Sequence, residues 1–163
     1  MKAHSAVQLT LDWATQTYDS LNSGELQEIF RVREEVFIVE QQCVYQDVDS
    51  LDEKCSHITA RDNSGKLMAY ARILPPGLKD QNASFGRVLV IKEQRNKGIG
   101  KKLVQLCIDE CQRKYPDAEF RISAQAHLVD FYRDFGFEAV GTPYDDAGIS
   151  HIDMILQLEQ TAD

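Results

Sequence analysis

The sequence predicts a single α/β (α+β) domain in which a mixed β-sheet of about seven strands carries helices on both faces. Some segments alternate apolar and polar residues or form short apolar runs, as strands do, and others repeat apolar residues at helical spacing. Along the chain these segments follow the order β-α-β-β-β-α-β-α-β-β, which is typical of a mixed sheet with packed helices. The 163 residues suffice for one domain over residues 1–163, without linker, repeat or low-complexity tract.

The first two predicted elements are a strand and a helix. From Val7 to Trp13 apolar residues alternate with polar ones, which predicts a half-buried strand. Asn22 or Ser23 is placed to cap a helix over residues 25–37, because both side chains accept hydrogen bonds from free backbone N–H groups. Arg33 falls on the apolar face of this helix, so we expect its guanidinium to be buried and paired with an acid.

An acidic, loop-like segment follows over residues 37–52. Glu40 is one candidate partner for Arg33, and the later acids are the others: Asp47, Asp49 and Asp52. The segment lacks the sixth-position glycine and twelfth-position glutamate of a calcium-binding loop, so we predict no metal site. Two interpretations of the later acids stay open, since they could form the wall of a binding site or a solvated turn.

The remaining elements follow from short apolar runs and the turn residues between them. Their predicted bounds are strands over 57–61, 66–74, 85–91, 119–124, 138–142 and 151–158, and helices over 99–115 and 126–135. The stretch 62–65, with sequence Asp-Asn-Ser-Gly, predicts a hairpin turn, and Pro116 ends the longer helix. Gly136 stands where a helix-terminating glycine belongs, and residues 143–150 are predicted to be the last loop.

The turn between the 85–91 strand and the next helix has the composition of an anion site. Gly98 and Gly100 permit positive φ and a close approach of the backbone to a ligand, and the free N–H groups of a helix start favour an anion. Basic residues crowd into this turn although the helix dipole disfavours them there: Arg95, Lys97, Lys101 and Lys102. Because the formal net charge of the chain is −8, the cluster is local, and a bound phosphate or pyrophosphate would resolve the conflict. A glycine turn with solvated lysines is the open alternative.

Two common phosphate-binding motifs are excluded. A Walker loop requires Ser or Thr after its lysine, whereas Leu103 follows Lys102. The dinucleotide-binding fingerprint requires a third glycine and an acid at the end of the following strand, and both are missing.

Composition limits the compartment and the partners. No apolar run approaches the roughly 20 residues that span a bilayer, and residues 1–5 lack the apolar core of a signal peptide. The four cysteines match neither a disulfide framework nor a zinc site, so we expect free thiols and a cytoplasmic protein: Cys43, Cys55, Cys107 and Cys111. A pI near 5.0 argues against nucleic-acid binding and is compatible with a cationic substrate.

Two motifs resemble the GNAT superfamily of N-acetyltransferases. In that family a strand with a valine near its end precedes the pattern Gln/Arg-x-x-Gly-x-Gly/Ala, to which Val90, Arg95, Gly98 and Gly100 correspond. The segment 125–137 is similar to the second motif, which often ends Tyr-x-x-x-Gly-Phe, although Gln125 replaces the asparagine of many members. Further stretches are similar to the ElaA-like branch: Arg33-x-x-Val36-Phe37, Glu40-Gln41, Tyr45-Gln46-Asp47, residues 69–74, Gly86-Arg87-Val88, Gln125-Ala126-His127 and His151-Ile152.

The resemblance implies an acetyl-CoA-dependent enzyme that acetylates a small amine or a peptide amine by direct attack on the thioester, as a monomer or homodimer. Acetyl-CoA, the co-substrate, is expected between two splayed parallel strands that end near Val90 and Ala124. Its implied contacts are Val88, Leu89, Val90, Arg95, Asn96, Lys97, Gly98, Ile99, Gly100, Lys101 and Gln125. Tyr132 is expected to protonate the departing thiolate, and a backbone N–H near Val90 to polarise the carbonyl.

The general base and the acceptor contacts are less specified. Glu40, His127 and His151 are the base candidates by side-chain type, and a water relay is the alternative. Arg72 and Arg87 lie inside predicted strands, where they orient the acceptor or pair with buried acids. A protein that binds acetyl-CoA without turnover, as a sensor or interaction module, is the rival hypothesis, because fold alone does not separate the two.

Overall fold

The computed structural model describes residues 9–157, and the predicted strand ends at Val7 and Leu158 lie outside this range. The seven strands are β1 (Asp12–Thr17), β2 (Ser56–Arg61), β3 (Leu67–Leu74), β4 (Ser84–Val90), β5 (Phe120–Gln125), β6 (Glu138–Asp146) and β7 (Ile149–Leu156). The helices are α1 (Ser23–Arg33), α2 (Ile99–Lys114) and the short α3 (Val129–Arg133). The seven predicted strands and three helices therefore recur in the predicted order.

The strands form two antiparallel sheets instead of one continuous sheet. β1, β2, β3 and β4 are hydrogen-bonded in that order, and the second sheet has the order β5-β7-β6. The sheets meet at one parallel bridge, where Ala83 N–H donates to Glu119 O and Arg121 N–H donates to Ala83 O. Because this bridge lies at the start of β4 and β5, the two strands are joined at one end only.

Helices cover both faces of the larger sheet, as predicted. Ala69, Ala71 and Ile73 of β3 lie in the core cluster that contains the apolar face of α2, whereas Met68 and Tyr70 lie in the cluster with α1. This alternation follows from the two-residue period of a strand. β3 is buried along its whole length as a result.

Helix ends show the expected caps. Asn22, the N-cap of α1, accepts the backbone N–H of Glu25, and the Glu25 carboxylate accepts the N–H of Asn22, which is a complete capping box. Gly136 has φ +92° after α3, and Phe137 N–H donates to Tyr132 O, as in a Schellman motif.

Two predicted boundaries are wrong. Residues 34–40 are helical, since a π-helix over Glu34–Glu40 continues α1 into the segment that we expected to be a loop. The last hairpin is also longer than expected, because β6 extends to Asp146 and β7 starts at Ile149, with only a tight turn between them. Ala147 and Gly148 adopt positive φ in this turn. The strand pairing shifts register between Val140 and Tyr144. Pro143 lies within this irregular stretch, where a residue without a backbone N–H is tolerated.

No helix in residues 9–157 combines the length and the apolar character that crossing a membrane requires.

Candidate active site

A cleft of about 870 Å³ opens where β4 and β5 diverge from their common bridge. Its walls include the β4 segment Val88–Val90 and residues of β5, α3, β7 and the segment after α1. The cleft is lined by several of the predicted site residues: Glu40, Arg72, Val88, Leu89, Val90, Arg95, Gln125, His127, Tyr132 and His151. The fold therefore brings residues separated by more than 100 positions into one cavity.

The β4 edge that faces the cleft lacks a strand partner among the described residues beyond the bridge. Ile91 N–H donates to Met68 O of the β3 side, and Leu89 is the Cα partner of Tyr70. Because backbone groups alternate between the two edges of a strand, the N–H and C=O of Val90 face away from β3, toward β5. An extended ligand with amide groups can pair with this edge as an added strand.

The glycine turn presents the start of α2 without a capping side chain. Gly98 is the N-cap at φ +79°, and no acidic residue lies in the first turn of α2. Lys102 N–H donates to Gly98 O, so the N–H groups before it have no partner within the helix. Asn96 also has positive φ, and a Cβ on Gly100 would lie 3.8 Å from Val90 Cγ2. The positive φ of Gly98 therefore favours glycine at that position, whereas a Cβ at Gly100 would make only an ordinary contact, and the turn offers free donors to an anion.

The basic side chains of this turn point in different directions. Lys97 Nζ donates to Glu93 O and to Gln94 Oε1, and Lys101 lies 4.0 Å from Asp134 on the surface. The residues of the turn after Arg95 lie outside the main cleft: Asn96, Lys97, Gly98, Ile99, Gly100 and Lys101. The turn thus lies outside the cleft, and its lysines are exposed to solvent.

Arg95 links the turn to the end of the π-helix. Its Nε donates to Val90 O at 2.9 Å, and its guanidinium forms an ion pair with both carboxylate oxygens of Glu40. This hydrogen bond from Arg95 lowers the pKa of Glu40 below its ordinary value. Glu40 is consequently a poorer base than a free glutamate, and its position serves to hold the turn.

Gln125, at the end of β5, reaches the same segment from the other side of the cleft. Its Nε2 donates to Gln41 Oε1 at 3.3 Å. Together with the Arg95–Glu40 pair, this contact places the π-helix end across the mouth of the cleft.

Tyr132 lies on α3 at the wall of the cleft and is 7% exposed. Its ring packs edge-on against Phe131 and Phe137, and among residues 9–157 its hydroxyl makes no hydrogen bond to protein. Burial raises the pKa of Tyr132 above its ordinary value of 10.0. The phenol therefore stays protonated and has a hydroxyl free to serve a ligand in the cleft.

The two candidate histidines both line the cleft. His151 Nδ1 lies 2.8 Å from Ile149 O. Because a carbonyl oxygen only accepts, Nδ1 carries the proton and Nε2 of a neutral ring keeps its lone pair. The ring also stacks on Tyr144 of the neighbouring strand β6. His151 thus has a fixed orientation, and His127 lies in the turn between β5 and α3.

Arg72 and the acids of the 37–52 segment pair with each other. Arg72 donates to both oxygens of Asp49 at 2.6 and 2.9 Å, and to Asp52 at 2.9 Å. Arg33 donates to Asp47 and Asp52, so its partners are later acids and not Glu40. The solvated-turn interpretation is wrong for Asp47 and Asp52, which are buried, whereas Asp49 lines the cleft.

Comparison with known proteins decides the family. Residues 20–158 match the family described as "Acetyltransferase (GNAT) domain". The chain belongs to the GNAT acetyltransferase family. It is 44% identical to a UPF0039 protein of Synechocystis over 92% of this chain and 97% of that one.

Solved structures place the chain in the ElaA-like branch of this family. It is similar to Escherichia coli ElaA, with a TM-score of 0.84 and 34% identity over 91% of this chain and all of that one. It is also similar to the crystal structure of an acyl-CoA N-acyltransferase from Pseudomonas aeruginosa, with a TM-score of 0.86 and 36% identity at the same coverage. This GNAT protein is accordingly an acyl-CoA-dependent acyltransferase.

Sequence reasoning missed several further residues that line the cleft. Gln41, Cys43 and Lys79 line it, as do Asp146 and Ala147 of the last turn. They lie in segments that we expected to be loops, where no periodic pattern indicates which side chain faces a cavity. The Glu40-Gln41 pair, which resembles the ElaA-like branch, was the one available signal.

Within residues 9–157 no group of three or more His, Cys, Asp or Glu is arranged to hold a metal ion.

Proposed function

We propose that this GNAT protein transfers the acetyl group of acetyl-CoA to a primary amine by direct attack. Three observations carry the proposal: a β4 edge at the cleft without a strand partner among the described residues beyond the bridge, the uncapped start of α2 in the turn that follows this strand, and the hydroxyl of Tyr132 in the cleft wall. The β4 edge pairs with the pantetheine amides, the start of α2 binds the pyrophosphate, and the Tyr132 hydroxyl protonates the leaving thiolate.

An ammonium acceptor loses two protons on becoming an amide, and the departing sulfur gains one. The amine nitrogen attacks the thioester carbonyl carbon, the C–N bond forms, the C–S bond breaks, and coenzyme A departs with the electron pair on sulfur. Tyr132 gives its hydroxyl proton to that sulfur, for which a phenol that stays neutral at pH 7 is suited. The Val90 N–H, which faces the cleft, stabilises the charge on the carbonyl oxygen.

His151 is the base that the geometry favours. Its Nε2 has a lone pair because Nδ1 donates to Ile149 O, and His151 lines the cleft, as do Ser123 and Asp146. Glu40 is held in its ion pair with Arg95, and among residues 9–157 no hydrogen bond orients the His127 ring in the turn between β5 and α3. His151 therefore takes one proton from the ammonium, directly or through one water, so that the neutral amine can attack. The second nitrogen proton, lost as the amide forms, replaces the proton that Tyr132 gives to sulfur.

Direct attack excludes a cysteine acyl carrier. Cys55, Cys107 and Cys111 have pKa values raised by burial, to about 11 for Cys55 and about 12 for Cys111, so they remain thiols. Cys43 lines the cleft, but its Sγ lies 3.6 Å from Gln41 O, which accepts the S–H. An acetyl-cysteine adduct trapped by mass spectrometry would overturn this mechanism.

Four free thiols in the described chain also support our proposal of a cytoplasmic location.

The apolar end of the cleft supports acetyl as the transferred group. Phe85 and Tyr132, with ring centroids 6.5 Å apart, and Ile122 line the part of the cleft near the bridge. In this proposal these apolar side chains surround the methyl group of the acetyl and leave little room for a longer acyl chain. We expect kcat/KM to fall along the series acetyl-CoA, propionyl-CoA and butyryl-CoA.

The experiment is a turnover screen with acetyl-CoA against polyamines, amino sugars, aminoglycosides and peptides with free N-termini. Amine-dependent release of coenzyme A, together with an N-acetylated product seen by mass spectrometry, supports the proposal. Tight acetyl-CoA binding without release for every amine class would favour the non-catalytic sensor or interaction module instead.

A further inference from the structure

Six charged side chains form a closed ring of alternating sign beside the cleft. In order around the ring they are Arg33, Asp47, Arg87, Asp49, Arg72 and Asp52. Five of the six successive contacts have N–O distances of 2.6–2.9 Å, and only the one between Arg87 and Asp49 is longer, at 3.7 Å. Three positive and three negative charges compensate each other, which such burial requires.

The ring connects elements that are distant in sequence. Arg33, on α1, is fully buried, Arg72 lies on β3, and the three acids come from the segment between α1 and β2. Arg87 is the member that lies on β4, next to the cleft-facing Val88–Val90 segment, and its side chain is 24% exposed. The ring therefore connects the acidic segment in the wall of the cleft with β4, the strand that we propose binds the pantetheine.

The backbone at Arg87 adopts a conformation that arginine alone does not favour. Arg87 has φ +51°, and positive φ at a non-glycine residue is strained, so it persists only where the surrounding contacts hold it. The β3–β4 register explains why, since Tyr70 is opposite Leu89 but Arg72 is opposite Gly86. Two β4 residues, Arg87 and Val88, thus face Ala71 alone, which is a β-bulge.

The Arg87 side chain supplies the contacts that hold this bulge. Its Nε lies 2.7 Å from Asp47 Oδ1, its Nη2 donates to Asp47 O at 3.1 Å, and its guanidinium lies over the Tyr45 ring at 5.6 Å. Because the bulge inserts one residue into β4, it determines which of the following backbone N–H groups point toward β3 and which point toward the cleft. The position of the Val90 N–H in the cleft consequently depends on the bulge.

We propose that Arg87 is a positioning residue: held by the ring, it fixes the β4 bulge and so aims the cleft-facing β4 backbone at the thioester carbonyl. This inference rests on the proposed acetyl-CoA function. The contribution is to geometry, through the contacts that Arg87 makes with Asp47 and Asp49. A misplacement of reacting groups by about 1 Å can lower a rate by about 10²-fold.

The test uses Arg87→Gly, Arg87→Lys and a matched control. Glycine tolerates positive φ, so R87G removes the ring contacts without adding backbone strain. R87K keeps the charge but loses the planar fork. Arg61→Gly is the control, because Arg61 is also a partly buried strand arginine paired with an acid of α1, Glu28, and lies outside the cleft.

The readout is the carbonyl stretching band of bound [1-13C]acetyl-CoA in isotope-edited infrared spectra, measured with acetyl-CoA affinity, kcat and Tm. In the wild type we expect the band below its frequency in free acetyl-CoA. In R87G the band moves back toward the free value and kcat falls by about 10²-fold, while Kd changes by less than about threefold. R87K is intermediate, and R61G lowers Tm with an unchanged band.

Three results would contradict parts of this scheme, and each is distinguishable. A folded R87G with wild-type band and kcat overturns the positioning role alone. If R87G does not fold, R87K carries the same test, and a wild-type band in R87K overturns the role. Wild-type protein that fails to bind acetyl-CoA overturns the proposed function, and the inference with it.

Discussion

Replacement of Tyr132 by phenylalanine separates a catalytic hydroxyl from a core aromatic ring. The ring of Tyr132 packs against Phe85, Phe131 and Phe137, and Tyr132→Phe keeps these contacts. Since the hydroxyl makes no hydrogen bond to the described residues, its removal leaves no protein partner unpaired. We therefore expect the free energy of unfolding to change by less than about 1 kcal/mol.

The rate should respond much more strongly than the stability. A general acid typically contributes about 10²–10⁴-fold, so kcat of Y132F should fall by that factor, equivalent to about 3–5 kcal/mol of transition-state stabilisation. The acetyl-CoA Kd should stay within about threefold, since the proton transfer occurs only in the transition state.

The assay needs one kinetic and one thermal measurement on each purified variant. Tyr70→Phe provides the contrast, because the Tyr70 hydroxyl bonds His57 Nδ1 at 2.7 Å outside the cleft. Its loss leaves a buried acceptor unpaired, which costs about 1–3 kcal/mol of stability with normal turnover. Full activity of Y132F at saturating acceptor, or a Y70F-like loss of stability with normal turnover, would refute the catalytic role of Tyr132.

Three further predictions concern the anion site, the pH dependence and the ion ring. Gly98→Val should lower CoA affinity in calorimetry, because its branched side chain enters the open space before α2; Gly65→Val, at φ +84° with equally open surroundings, has the same strain and should leave affinity unchanged. Burial lowers the pKa of His57 below 6.5, so as pH falls the unfolded chain binds a proton at this residue before the folded one does. The free energy of unfolding should therefore fall as pH drops below about 6.5. In urea titrations, His57→Gln should remove this part of the pH dependence. Arg33→Met should lower the free energy of unfolding by about 3–5 kcal/mol because it leaves buried carboxylates underpaired, whereas Arg31→Met, which removes an exposed pair, should change it by less than about 1 kcal/mol.

Elements with local signals were predictable from the sequence. The capping box at Asn22, the hairpin turn at residues 62–65 and the helix end before Pro116 all depend on residues within a few positions of each other. Such signals need no knowledge of the rest of the fold. The order of strands and helices was predicted correctly for this reason.

Features that depend on distant partners were not predictable in the same way. Arg33 was expected to be buried and paired, but its choice of Asp47 and Asp52 over Glu40 depends on how the 41–55 segment folds back over the sheet. Glu40 pairs with Arg95, 55 residues later, and no local pattern indicates that pair. The π-helix extension follows from the same tertiary contacts, because Val36 and Phe37 pack in the α1 core cluster.

In the candidate site, too, some features had a local sequence signal and others did not. The glycine turn, Tyr132 and His151 were predicted from motifs and side-chain type, and the fold places Tyr132 and His151 in one cleft with Val90. Their roles stay predictions. The bulge at Arg87 was missed because positive φ at an arginine has no sequence signal, and it became visible only in the β3–β4 register.

Acetyl transfer from acetyl-CoA to an amine is tested most directly by a quenched single-turnover experiment. Protein in excess is loaded with [1-13C]acetyl-CoA and mixed with amines from each class of the screen, and the label is followed by mass spectrometry. The account predicts that the label appears on the nitrogen of one amine class, in step with the release of coenzyme A. A label that stays on coenzyme A for all amines, although acetyl-CoA is bound, would contradict it.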